Sequence, residues 1–131
     1  MIVLDASIAI ELLLDADVGR RAAEGRVATS ASLHAPHVID LEVAQVARRL
    51  VRDGVATAQR GRELLEDLRD LEIERYPHDV LLERIWQLRD RMTAYDAAYV
   101  ALAEALGAPL VTCDARLSRA AGDLVEVELV S

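Results

Sequence analysis

The sequence contains no lysine, one cysteine, and no apolar run close to the ~20 residues that a membrane-spanning helix requires. Each absence closes a class. A single thiol, Cys113, rules out an internal disulfide, and three histidines at unrelated spacings, His34, His37 and His78, do not make an imidazole or thiolate zinc site. A bound metal would therefore have to be held by oxygen. The N-terminus has neither the basic start nor the small-residue cleavage site of a secretory signal, so a cytoplasmic chain with no membrane association is expected. No repeat, low-complexity tract or linker interrupts the chain, and the expectation is one domain over residues 1–131.

What is present is apolar and acidic. Hydrophobic residues make up 53% of the chain, enough for a packed core of ordinary size. The formal net charge of −8 argues against broad, non-specific adhesion to nucleic acid, although a local strip of arginines could still grip a phosphate backbone.

Ile2-Val3-Leu4 reads as a short buried strand and Ala6 to Leu14 as a helix, with Asp5 or Ser7 placed to cap it. A helix from Val18 to Arg26 and a strand over Ser32-Leu33-His34-Ala35, closed by Pro36, follow. In "HVIDLEVAQVARRLVRDG" the apolar residues Ile39, Val43, Val46 and Leu50 recur at helical spacing, and Gly54 ends the pattern. Helices are expected in "ATAQRGRELLEDLRDL", "HDVLLERIWQLRDRM" and "CDARLSRAAG", and strands in "EIERYP", Leu110-Val111-Thr112 and Val125 to Val130. The segment "AYDAAYVALAEALG" is apolar almost all round, which marks a helix packed on more than one side. Short strands alternating with helices, without hairpin dipeptides, imply a three-layer α/β/α sandwich on a mainly parallel sheet.

In such sheets ligands bind beyond the carboxyl ends of the strands, where the strand order reverses. Asp5 follows the first strand and Asp114 a late one, and each is also an ordinary helix cap. Asp96 opens the nearly all-apolar helix, a position that the helix N-terminus favours in any case. Glu42 and Asp40 flank the apolar stripe of their helix at similar angles, so the wheel does not choose between them.

Together the segments "LDAS", "DLEVAQ", "YDAAYVALA" and "VTCD" are far more specific than any one aspartate. The set resembles the PIN domain, and within it the ribonuclease toxins of the VapC type. The pattern is an aspartate ending the first strand, a glutamate in a helix shortly after a proline, an aspartate opening a late helix, and an aspartate ending the next strand. Asp5, Glu42, Asp96 and Asp114 match in that order along essentially the whole chain, and the resemblance selects Glu42 over Asp40.

The resemblance implies an endoribonuclease that hydrolyses RNA phosphodiester bonds with one or two Mg²⁺ or Mn²⁺ ions, the four acids acting as ligands or, for Glu42, as water positioner. Clustered carboxylates raise one another's pKa values unless a cation neutralises them, and hard oxygen donors suit these ions better than zinc. Ser7 and Thr112 match small hydroxyl positions that support the carboxylates. The resemblance further implies a homodimer and a VapB-type antitoxin whose tail covers the acidic groove. Arg20, Arg21, Arg26, Arg48, Arg49 and Arg52 are candidate phosphate contacts. Trp86, Tyr95 and Tyr99 read as core or interface, and the histidines as structural, with His37 capping or packing beside Pro36.

Rival chemistries need residues that are missing. A phosphoacceptor receiver domain needs a lysine after a late strand. Haloacid-dehalogenase phosphotransfer needs a second aspartate two residues after the first, where Ser7 stands. Two alternatives remain open at this point: a PIN-fold binding or scaffold module without nuclease activity, and a housekeeping RNA-processing nuclease.

Overall fold

The computed structural model describes residues 1–14 and 32–131. The expected helix from Val18 to Arg26, and with it Arg20, Arg21 and Arg26, lies outside the described residues. The strands are β1 (Ile2–Leu4), β2 (Leu33–Pro36), β3 (Ile73–Tyr76), β4 (Leu110–Thr112) and β5 (Val127–Leu129). They form one sheet in the order β3-β2-β1-β4-β5 with every neighbouring pair parallel.

Central position explains composition. Every residue of β1 and β4 is buried, because helices cover both faces and each side chain, whichever way it points, meets apolar neighbours. Val3 pairs with His34 on one side and Leu110 on the other, so β1 is flanked by both halves of the sheet. The chain runs outward from β1 through β2 to β3, then returns to β4 on the far side of β1. The strand order therefore reverses between β1 and β4.

The described helices are α1 (Ala6–Leu14), α2 (Val38–Arg52), α3 (Ala58–Asp70), α4 (Leu82–Gln87), α5 (Ala94–Leu106) and α6 (Ala115–Ala121). Helices α1, α2 and α3 pack on one another, as do α4 and α5. The crossovers out to β3 and the return to β4 run in opposite directions across the sheet, and crossovers of the usual right-handed sense then lay their helices on opposite faces, the three layers expected. Helix α5 buries seven consecutive residues, Ala97 to Ala103, which accounts for its lack of a polar face. Its left-handed cap, Gly107 at φ 61°, turns the chain into β4.

Three expectations are corrected in detail. The continuous helix foreseen from His78 to Met92 is a 3₁₀ turn (Asp79–Leu81), the short α4, and a further turn. Helix α4 itself buries no residue; Leu81, Leu88 and Met92 anchor the segment from its ends, and the turns deliver Met92 to the core just before Thr93 caps α5. Pro36 is the last residue of β2 instead of lying beyond it. The N–H of His37 bonds to Tyr76 on the β3 side, so the donor that proline lacks would face β1, which has already ended. The last strand is also shorter than Val125 to Val130.

Leu110 is fully buried at the centre of the sheet, and Leu110→Ala should lower the unfolding free energy by about 2–5 kcal/mol. Gly107→Ala, which meets no atom but must hold φ 61°, should cost only about 1 kcal/mol. Urea unfolding of the two variants checks both values and their order.

Candidate active site

A carboxylate buried at a strand end must find donors, and Asp5, 5% exposed, finds three. Its Oδ1 accepts from the Ser7 hydroxyl at 2.6 Å and from the Ile8 N–H at 3.2 Å, and its Oδ2 accepts from the Thr112 hydroxyl at 2.5 Å. The hydroxyls are themselves oriented from behind. Ser7 Oγ accepts the Cys113 N–H and Thr112 Oγ1 accepts the Asp114 N–H, each at 2.9 Å. A backbone N–H can only donate, so both hydroxyl protons are turned toward Asp5. The arrangement ties the end of β1 to the end of β4 and surrounds Asp5 with donors that favour its carboxylate form. Three of its roughly four acceptor sites are used, which leaves one for a ligand.

Burial still pushes the Asp5 carboxyl above its usual range; the hydroxyl and Ile8 hydrogen bonds pull it down, and Asp114 pushes it further up. Glu42, on α2, is raised for the same first reason, burial, with Asp5 and Asp96 adding repulsion and the Tyr99 hydrogen bond opposing. The Tyr99 hydroxyl donates to Glu42 Oε1 at 2.6 Å. Burial and the neighbouring Glu42 hold that phenol far above its ordinary value, so it keeps its proton. Asp40 faces elsewhere, bound at 2.9 Å to Arg75 Nε.

Asp96 stands in the first turn of α5, its N–H capped by Thr93, and Asp114 caps α6 by accepting the Arg116 and Leu117 N–H groups. Asp96 Oδ2 and Asp114 Oδ2 converge on one nitrogen, Arg116 Nη2, at 3.1 and 3.3 Å. Two carboxylates from separate elements thus already share one cation position, and the donors are all hard oxygens, the chemistry that Mg²⁺ or Mn²⁺ requires. Among the described residues no three acidic, histidine or cysteine side chains lie close enough to chelate one ion as they stand. A third protein ligand requires the Asp96–Asp114 pair to draw closer to Asp5 or Glu42.

The structure therefore brings all six residues singled out in the sequence, Asp5, Ser7, Glu42, Asp96, Thr112 and Asp114, to the carboxyl end of the sheet beside the strand-order reversal. Two further residues of the site were missed. Tyr99 reads as core, which it is, yet it lies one helical turn after Asp96 and orients Glu42. Arg116 could have been noticed as a cation in the first turn of a helix, where the dipole disfavours it.

Of the arginines foreseen as phosphate contacts, Arg49 lines an open groove with Glu42, Ala6 and Tyr95. Arg48 and Arg52 are exposed on α2, and Arg52 pairs with Asp53. Trp86 and Tyr95 are exposed and not core. His37 makes no side-chain cap; His78 Nε2 accepts the Val38 N–H instead. His34 is buried between Ser32 and the Tyr76 hydroxyl.

The PIN domain family matches residues 2–123. A VapC ribonuclease from Mycobacterium bovis is 46% identical over 118 residues, covering 90% of this chain and 89% of the relative. Ribonuclease VapC12 from Mycobacterium tuberculosis is 41% identical over 131 residues, covering all of both chains. Among solved structures, the VapBC2 complex from Rickettsia felis bound to a promoter DNA fragment contains a chain that matches over the full length of both, with TM-score 0.69 at 14% identity.

An acid whose pKa is raised by folding costs stability as pH climbs from its unfolded value, 4.5 for Glu42, through its folded one, since the folded state binds the proton that the unfolded state has released. In EDTA, Glu42→Gln, which keeps an oxygen for Tyr99, should therefore weaken this fall and melt higher than the parent at pH 8. Thermal melts from pH 4 to 8 test this; a variant that melts lower than the parent at pH 8 contradicts it.

Proposed function

The chain belongs to the PIN-domain family, as a VapC-type endoribonuclease toxin, and we propose that it cuts RNA with a Mg²⁺ or Mn²⁺ ion held by Asp5, Asp96 and Asp114, with Glu42 as ligand or water positioner. The observation that carries this reading is the convergence of Asp96 and Asp114 on one cation position, beside an Asp5 whose remaining acceptor site is free. When bound, the ion supplies a Lewis acid that acidifies water and offsets charge on the phosphate.

The chain's own residues do the rest. Ser7 and Thr112 donate to Asp5 and favour its ionised form against the effect of burial, and the peptide groups after β4 hold those hydroxyls. Tyr99 fixes one oxygen of Glu42 and leaves Oε2 outside that bond, to take a water proton or a ligand. Burial, which raises the Glu42 pKa, makes it a better proton acceptor than an exposed glutamate. Arg49, on the groove beside Glu42, is placed to take a backbone phosphate of the RNA.

The remaining elements of the reading follow the family. A VapB-type antitoxin covers the acidic groove and holds the enzyme inactive, and the net charge of −8 favours a partner with basic side chains. The Rickettsia felis relative in its complex supports this partner class. The toxin acts as a homodimer, in the cytoplasm; among the described residues no helix is long and apolar enough to cross a membrane.

Asp96→Asn should abolish cleavage of end-labelled total RNA while leaving the melting curve intact, and EDTA should do the same to the parent protein. Cleavage that survives either change removes Asp96, or the metal, from the reaction.

A further inference from the structure

Arg116 sits where a cation would be sought in an acidic site. Its side chain is 61% exposed, and one nitrogen, Nη2, bridges Asp96 from α5 and Asp114 from the β4–α6 junction. Stability alone gives little reason for it, because exposed ion pairs contribute little and a cation in the first turn of a helix opposes the dipole. Its partners among the four acids are Asp96 and Asp114, the two that converge on one position. A divalent ion bound to the same two oxygens, at about 2.1 Å, and a guanidinium cannot share that position.

We infer that Arg116 is a substrate-phosphate residue held on Asp96 and Asp114 until a divalent ion displaces it. The inference rests on the metal-dependent reading above. Released from the aspartates, the side chain stays anchored two residues beyond Asp114, beside the place where the scissile phosphate must come to meet the ion. The planar fork of Nε, Nη1 and Nη2 matches two phosphate oxygens at once, which a single ammonium does not. The same residue would thus neutralise the acids before the reaction and bind the RNA during it.

The test measures Mn²⁺ binding by calorimetry on RNA-free protein and, separately, KM and kcat for RNA at saturating Mn²⁺, for the parent, Arg116→Gln and Arg116→Lys. With its competitor removed, Arg116→Gln should bind Mn²⁺ several-fold more tightly, yet show a KM raised about tenfold, equivalent to one lost charge-assisted contact. Arg116→Lys should retain the weaker metal binding of the parent and recover only part of the KM. Opposite movements of metal affinity and RNA affinity are not expected of a merely structural arginine. Unchanged or weaker Mn²⁺ binding in Arg116→Gln, or an unchanged KM, overturns the inference while leaving the metal reading in place. A parent protein that binds no Mn²⁺ overturns both.

Discussion

The carboxyl end of the sheet is organised by one demand, that a negative charge at the end of a buried strand be solvated by the protein. Asp5 is almost wholly withdrawn from water, so the structure supplies three donors, and two of them are hydroxyls whose own orientation is set by peptide groups of the β4–α6 junction. A half-satisfied version would cost more than an apolar side chain in the same place. The result is a rigid joint between β1 and β4 at the point where the sheet changes direction, and the other acids are arrayed around it.

Around that joint the structure tolerates repulsion. Burial raises Asp5 and Glu42, and each carboxylate feels at least one other. Ordinary packing would relieve this by replacing an acid with an apolar residue. Here four acids come from four separate segments of the chain, and one exposed arginine lies across two of them and offsets part of their charge.

Much of this was legible in the amino-acid order. The apolar runs of β1 and β4, the all-apolar α5 and its terminal Gly107 are read directly from the sequence, because burial on several sides leaves no room for polar residues. The four acids were legible as a set, each by itself being only a plausible cap. Periodicity could not separate Glu42 from Asp40; that depended on Tyr99 and Arg75, which approach from distant elements. The breaks around α4 were hidden for a similar reason: its side chains are helix-compatible throughout, and the turns are imposed by the need to seat Leu88 and Met92. The role of Arg116 depends on a side-chain conformation, which no pattern of residue types encodes.

The joint at Asp5 also carries a temporal meaning. Its partners stand 105 to 107 residues apart in a chain of 131. During synthesis β1 leaves the ribosome more than a hundred residues ahead of Thr112, and until then it has neither β4 beside it nor the hydroxyl that completes its clamp. Asp5, Glu42 and Asp96 exist earlier, but as unassembled acids. For a ribonuclease this ordering is protective: a nascent copy still attached to its own message and not yet extended to Thr112 and Asp114 has neither the Asp5 clamp nor the fourth acid.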